Sequence, residues 1–172
     1  MLKSISTVLL FLTITLITID ASAESRKGLW VSAAAGREGS GWSIGGRGQI
    51  IGLDIAMTNS GEYKSDDVLD YPVPHSNYTT IGEKKKDSAV NIDILGFYDF
   101  THLSIFAGIG VYMQKYATLA RSNVTGWTYE QSTRDSNTPD GTVGFQIYPD
   151  KWILGLSYHT MRGAVLQVGL RF

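Results

Sequence analysis

Ser157 and His159 stand two residues apart in the segment Trp152 to His159, the spacing at which two side chains share one face of a β-strand. A serine becomes a nucleophile when a base within hydrogen-bond reach takes its proton, so the pair is a candidate for hydrolytic chemistry. Two residues along a strand separate the Cβ atoms by about 6.5–7 Å, at the limit of direct contact. Asp66, Asp67 and Asp70, with His75 nearby, are the other residues that could do chemistry, as cation ligands. Their spacing matches no known metal-binding loop, and a charge run of this kind reads as a solvated surface, so no metal is expected. The chain has no cysteine and shows no glycine-rich phosphate loop and no nucleotide fingerprint, so no cofactor is expected. A formal net charge of −1 supplies no field for a nucleic-acid partner.

The elements that would position Ser157 and His159 are strands. Apolar residues recur at every second position, the strand period, through most of the chain after its first residues. Leu103, Ile105, Ala107, Ile109, Val111 and Met113 form one face, and Ser104, Phe106, Gly108, Gly110, Tyr112 and Gln114 the other. The last residues repeat the pattern, with Ala164, Leu166, Val168, Leu170 and Phe172 against Val165, Gln167, Gly169 and Arg171. Eight strands are expected, starting near residues 28, 40, 50, 87, 102, 140, 151 and 163. Short turns fall around Gly48-Gln49, Phe100-Thr101-His102 and Tyr148-Pro149-Asp150-Lys151, and long polar loops around 60–86 and 120–140. Short turns at one end and longer loops at the other are the layout of outer-membrane barrels.

Residues 1–23 read as a cleaved signal peptide. Lys3 is the basic start, Val8 to Ile19 the apolar core, and Ala21-Ser22-Ala23 the small-residue cleavage site. The apolar run is too short for a membrane-spanning helix. Residues 24–172 are then one exported domain that needs no disulfide. A soluble barrel wets its outside. Here the continuous apolar face alternates with a mixture of small, polar and charged residues, which suits a barrel with lipid outside and a narrow, side-chain-filled interior. Phe100, Trp152 and Phe172 fall at one end of the outward faces, where an aromatic girdle is expected.

Parity turns Arg47, Asp54, Asp93, Gln114, Gln146, Ser157, His159, Gln167 and Arg171 inward. Charges in such a lumen must be paired, so Arg47 is expected to pair with Asp54 or Asp93, and the set to form a polar network that fills the barrel. Lys84-Lys85-Lys86 would sit where a loop meets the outer leaflet, able to attract lipopolysaccharide phosphates or simply hydrated. Tyr63, Tyr71, Tyr78, Trp127 and Tyr129 would decorate the outer loops as binding anchors or as loop packing.

Val165-Leu166-Gln167-Val168-Gly169-Leu170-Arg171-Phe172 resembles the terminal strand of outer-membrane barrels. In that family a final phenylalanine after alternating apolar residues is the assembly signal read by the outer-membrane insertion machinery. With the signal peptide and the strand count, the chain resembles the class of small eight-stranded outer-membrane β-barrels that includes the Ail/Lom-type adhesion proteins. No motif assigns a subgroup. The resemblance implies an all-β, antiparallel, up-and-down transmembrane barrel in the outer membrane of a Gram-negative cell. Its partners would be lipid, lipopolysaccharide and an external surface ligand. Some small outer-membrane barrels are esterases that remove an acyl chain from lipid A with a His–Ser pair, which makes a lipid A hydrolase using Ser157 and His159 the rival reading. The acyl chains of such a substrate lie outside the barrel, whereas parity points this pair inward, and the His-x-Ser-Asn pattern associated with those esterases is missing. A narrow channel is a third reading. The non-enzymatic barrel, with a structural or surface-contact role, is the one the residues favour.

Overall fold

The computed structural model describes residues 26–63, 68 and 77–172. The expected signal peptide, the acids Asp66, Asp67 and Asp70, and His75 and Tyr71 lie outside the described residues. The strands are β1 (Gly28–Gly36), β2 (Gly39–Arg47), β3 (Ile51–Asn59), β4 (Tyr78–Asp99), β5 (Leu103–Ser122), β6 (Thr128–Ile147), β7 (Trp152–His159) and β8 (Gly163–Arg171). Each pairs antiparallel with the next. β1 closes on β8 from Gly28↔Arg171 to Ala35↔Ala164, giving a closed up-and-down barrel with no crossover. Both ends of the barrel chain therefore lie at one rim.

Alternation of buried and exposed positions runs along every strand of the barrel wall, as in β3, where each even-numbered residue from Gly52 to Thr58 is buried. Large apolar residues stand outward on all eight strands, interspersed with small ones such as Ala33, Gly96 and Ala107, and Ile109, in the wall part of β5, is 76% exposed. A soluble monomer rarely exposes a contiguous apolar patch beyond a few hundred Å². Here such a surface wraps the barrel as a belt. Phe100, Trp152 and Phe172 are exposed at the rim that carries the chain ends, and the Phe172 amide donates to Lys27 O at 3.1 Å.

Three strands differ from the sequence expectation. β4 begins at Tyr78 rather than near residue 87, β5 runs on to Ser122, and β6 begins at Thr128 rather than near residue 140. Most of the expected 120–140 loop is therefore strand. The remaining strands are eight or nine residues long, close to what crosses a hydrocarbon layer, while β4, β5 and β6 have 22, 20 and 20. Their surplus projects beyond the rim as a three-stranded sheet. The strict apolar alternation stops there, so the backbone ladder persists without the pattern that reveals strands in sequence, although Ala117, Leu119, Ala120 and Tyr129 are buried in the projection. Pairing slips at Lys86/Val90 in β4, where Asp87 has φ 53°. This bulge marks the change from barrel wall to projection and re-aims the strand.

Candidate functional site: the polar lumen

The inward side chains fill the lumen in layers. At the rim of the chain ends, Arg47 clasps Asp99 in a fork, with NH1 to Oδ1 at 2.9 Å and NH2 to Oδ2 at 2.8 Å. Its NH1 also donates to Ser104 Oγ at 3.1 Å and Tyr148 OH at 3.0 Å, and its NH2 to Gln49 O. Tyr148 OH is 2.8 Å from Ser104 Oγ and 3.0 Å from Gln146 Oε1, and Gln146 Nε2 donates to Gln167 Oε1 at 2.9 Å. Arg26, just before β1, lies over the Tyr148 ring and donates to Phe100 O at 2.6 Å. The bidentate geometry is the strong form of this ion pair.

Next comes an apolar cluster of Trp30, Leu95, Phe97 and Phe106. The Phe97 ring lies 5.1 Å from Phe106 and 6.0 Å from Trp30, centre to centre. The Arg47 guanidinium caps its other side at 4.1 Å. Gly45 opposes Trp30 on the neighbouring strand, and a Cβ there would fall 2.3 Å from the indole. The bare backbone is what lets the largest side chain turn into the barrel.

Beyond it, strand pairing sets Asp54 directly opposite Asp93, and Asp93 opposite Gly110, which in turn faces Asp140. Arg162, in the turn between β7 and β8, folds back into the lumen. Its NH2 bridges Asp54 Oδ2 and Asp93 Oδ2, both at 2.9 Å. Asp54 Oδ1 accepts from Trp30 Nε1 at 3.1 Å and Ser43 Oγ at 2.9 Å, and Ser43 bonds Ser32. Asn91 Nδ2 donates to Asp140 Oδ2 at 2.6 Å. His159 Nδ1 accepts the backbone N–H groups of Met161 and Arg162 at 3.1 and 3.2 Å. With that nitrogen occupied as an acceptor, the neutral ring carries its proton on Nε2, which faces Asp93 Oδ1 at 3.3 Å.

The expected partnership of Arg47 is therefore corrected. Arg47 takes Asp99, and Asp54 and Asp93 take Arg162. The reason is position along the strands. Arg47 opposes Gly52, two residues nearer the rim than Asp54, and its long side chain reaches the strand-end acid instead. Sequence reasoning missed Asp99 as a lumen acid with a partner, and missed Asp140 and Arg162. Parity does place Asp99 inward. Arg162 sits in a turn, where no alternation exists to orient it.

Gln114 lies at the opposite mouth, its amide donating to Lys86 O at 3.0 Å and Lys115 O at 2.9 Å while Ser60 donates to its carbonyl oxygen. Around it stand Lys86 with Glu130 at 2.8 Å, Lys85 with Glu38, and Tyr63 OH to Glu130 at 3.0 Å. The hydrogen bond from Lys85 to Glu38 raises the lysine's pKa above its ordinary value. That contribution is complete below the ordinary lysine value and is lost as pH rises through the folded one. Lys84 pairs with Glu62 at 3.6 Å, and Arg134 with Glu83 at 3.0 Å. Tyr129 is buried, while Tyr78 and Trp127 are exposed. Arg171 is half-buried at the rim.

Ser157 and His159 are both buried and face the lumen. Both ring nitrogens of His159 have other partners, and Ser157 packs beside Gly144. The arrangement supplies internal ion pairs and a neutral histidine that donates. It does not give Ser157 a free base on the outward apolar surface.

No family model matches the chain, and no curated protein sequence matches it. In fold it is similar to Ail, the attachment invasion locus protein of Yersinia pestis, solved in complex with the heparin analogue sucrose octasulfate. The two are 13% identical with a TM-score of 0.52, and the match covers 87% of this chain and all of the other.

Proposed function

We propose that this chain is an exported, integral outer-membrane barrel whose role is to hold a rigid three-stranded sheet outside the cell against an external protein surface. The carrying observation is the projection of β4, β5 and β6 beyond a barrel wall ringed by exposed apolar side chains. Residues 1–23 serve as the leader, Phe172 as the assembly signal, and the rim with the chain ends faces the periplasm. The wall contacts lipid and lipopolysaccharide. β6 pairs with β7 only from Thr142 to Ile147, so among the described residues Thr128–Asp140 carries a backbone edge with no neighbouring strand. Such an edge can accept an extended segment of a partner. The four basic residues Lys84, Lys85, Lys86 and Arg134 each face a glutamate of this chain. Among the described residues, four of the six basic side chains on the projecting parts of β4, β5 and β6 are thus engaged by glutamates, Lys115 and Arg121 being the other two, which favours contact with a protein partner over a sulfated sugar. Buried side chains fill the lumen from Arg47 to Gln114, which speaks against the channel reading.

Two experiments test the two halves. Ile109→Arg puts a charge on the outward face at mid-wall and is expected to cost about 2–4 kcal/mol in lipid. The barrel should then be depleted from the outer-membrane fraction, with unassembled chain in the periplasm. Unchanged assembly would mean this face does not meet hydrocarbon. Excising residues 117–133 and closing β5 to β6 with Asn-Gly should leave a folded barrel by heat-modifiable gel mobility. It should abolish attachment of cells carrying the protein to a panel of immobilised extracellular proteins. Equal attachment with and without the projection would reject the surface role.

A further inference from the structure

The layer beyond Trp30 holds more negative charge than its partners neutralise. Asp54, Asp93 and Asp140 are opposed by one guanidinium, that of Arg162, because His159 accepts two backbone N–H groups at Nδ1 and presents a single N–H donor at Nε2. Arg162 spends its NH2 on Asp54 Oδ2 and Asp93 Oδ2, so Asp140 takes no arginine contact, and its Oδ2 has Asn91 Nδ2 at 2.6 Å and His159 Nε2 at 3.6 Å. The Asp140 side chain is fully buried, and its Oδ1 has no hydrogen-bond partner. That atom is aimed at Asp93. It lies 2.6 Å, and Asp93 Oδ1 2.0 Å, from the point a Cβ on Gly110 would occupy. The two oxygens thus converge over the bare backbone of Gly110, on the side of Asp93 turned away from Arg162. Ligand atoms of Asp93, Asp140 and His159 all fall within 4.8 Å of one another. An uncompensated buried carboxylate is costly, and Asp140 Oδ1, which has no donor, converging on Asp93 Oδ1, whose donors are His159 Nε2 at 3.3 Å and Asn91 Nδ2 at 3.4 Å, calls for a positive charge between the two oxygens.

We propose that Asp93 and Asp140 form an internal site for a hard divalent cation of the calcium or magnesium type, held by Asp93 Oδ1 and Asp140 Oδ1 and completed by water. Oxygen donors select such ions. His159 orients Asp93 through Nε2–H and does not ligate, because a ring whose Nδ1 accepts two hydrogen bonds has no lone pair free at Nε2. The ion joins β4 to β6 across β5, at the level where those strands leave the barrel wall, and so braces the base of the projection.

The test uses the full mature chain folded in detergent. Calcium, magnesium and zinc are each titrated by calorimetry after chelation, and thermal unfolding is followed in each ion and in chelator. The expected result is one ion per chain. The unfolding midpoint should be higher by about 5 °C or more at a hundredfold excess over the dissociation constant. In Asp140→Asn both the binding and the shift should vanish, and this variant in chelator should be more stable than the unsubstituted chain in chelator. Should Asp140→Asn fail to fold, Gly110→Ala fills the space between the oxygens while keeping both acids, and must also remove the binding. Two results would overturn the proposal. One is stability indifferent to calcium, magnesium and chelator, as when the two carboxyl groups share a proton instead. The other is binding of zinc alone, lost in His159→Gln, which would make the histidine a ligand.

Discussion

Arg162→Met is expected to lower the stability of the folded barrel by about 3–5 kcal/mol, the usual cost of removing one partner from a buried ion pair. The substitution keeps much of the side chain's volume and removes its charge. Asp54 and Asp93, 2% and 0% exposed, would then face each other across the β3–β4 pairing with no cation between them. The hydrogen bonds from Trp30 and Ser43 to Asp54 soften this but carry no net charge. Arg162→Lys should cost less, because a single ammonium can reproduce the bridge that one NH2 now makes. Denaturant unfolding in detergent micelles measures both. Combining Arg162→Met with Asp54→Asn and Asp93→Asn should recover much of the loss, since contacting groups are strongly non-additive. A loss below about 1 kcal/mol for Arg162→Met, typical of an exposed pair, would mean that water reaches this layer and the lumen is not the dry plug its burial describes.

The barrel wall was legible because a closed sheet with an apolar outer surface and a filled lumen inside forces the two-residue period on every strand. That period sorted Arg47, Asp54, Asp93, Gln146, His159 and Gln167 to one side without knowledge of any contact. It could not pair them. Partnership depends on strand tilt and on how far a side chain reaches along the axis, which is why Arg47 finds Asp99 rather than the acids nearer in sequence. It was also silent wherever the apolar belt ends. Thr128–Asp140 and Tyr78–Lys86 are strands held by their ladder with β5, yet their own sequences carry no regular apolar face, the buried apolar side chains of the projection being Ala117, Leu119 and Ala120 on β5 and Tyr129 on β6. Arg162 shows the same limit in a turn. Its neighbours carry no period, and only the carboxylates across the barrel explain why it folds inward. The residues that lock the lumen therefore come partly from the pattern and partly from positions where no pattern operates.

The same layering makes Phe97 the apolar residue whose loss should be felt most widely. Phe97→Ala removes a buried ring, for which about 3–5 kcal/mol is expected, and the neighbours have little freedom to collapse into the space. Phe106 and Trp30 are fixed on strands β5 and β1 on either side of it. Gly52, opposite Leu95, approaches so closely that a Cβ there would fall 2.8 Å from the Phe97 ring. The ring also floors the Arg47 guanidinium, whose fork to Asp99 would be left over a cavity that admits water from the rim. Part of the loss should then appear as weakening of the Arg47–Asp99 pair. A double-mutant cycle of Phe97→Ala with Arg47→Met separates that share, and the two losses together should fall short of their sum. Phe97→Leu keeps much of the volume and should cost less than half as much as alanine. Full additivity in the cycle would show that the rim lock and the aromatic layer act independently, and that the lumen is a stack of separate contacts rather than one packed unit.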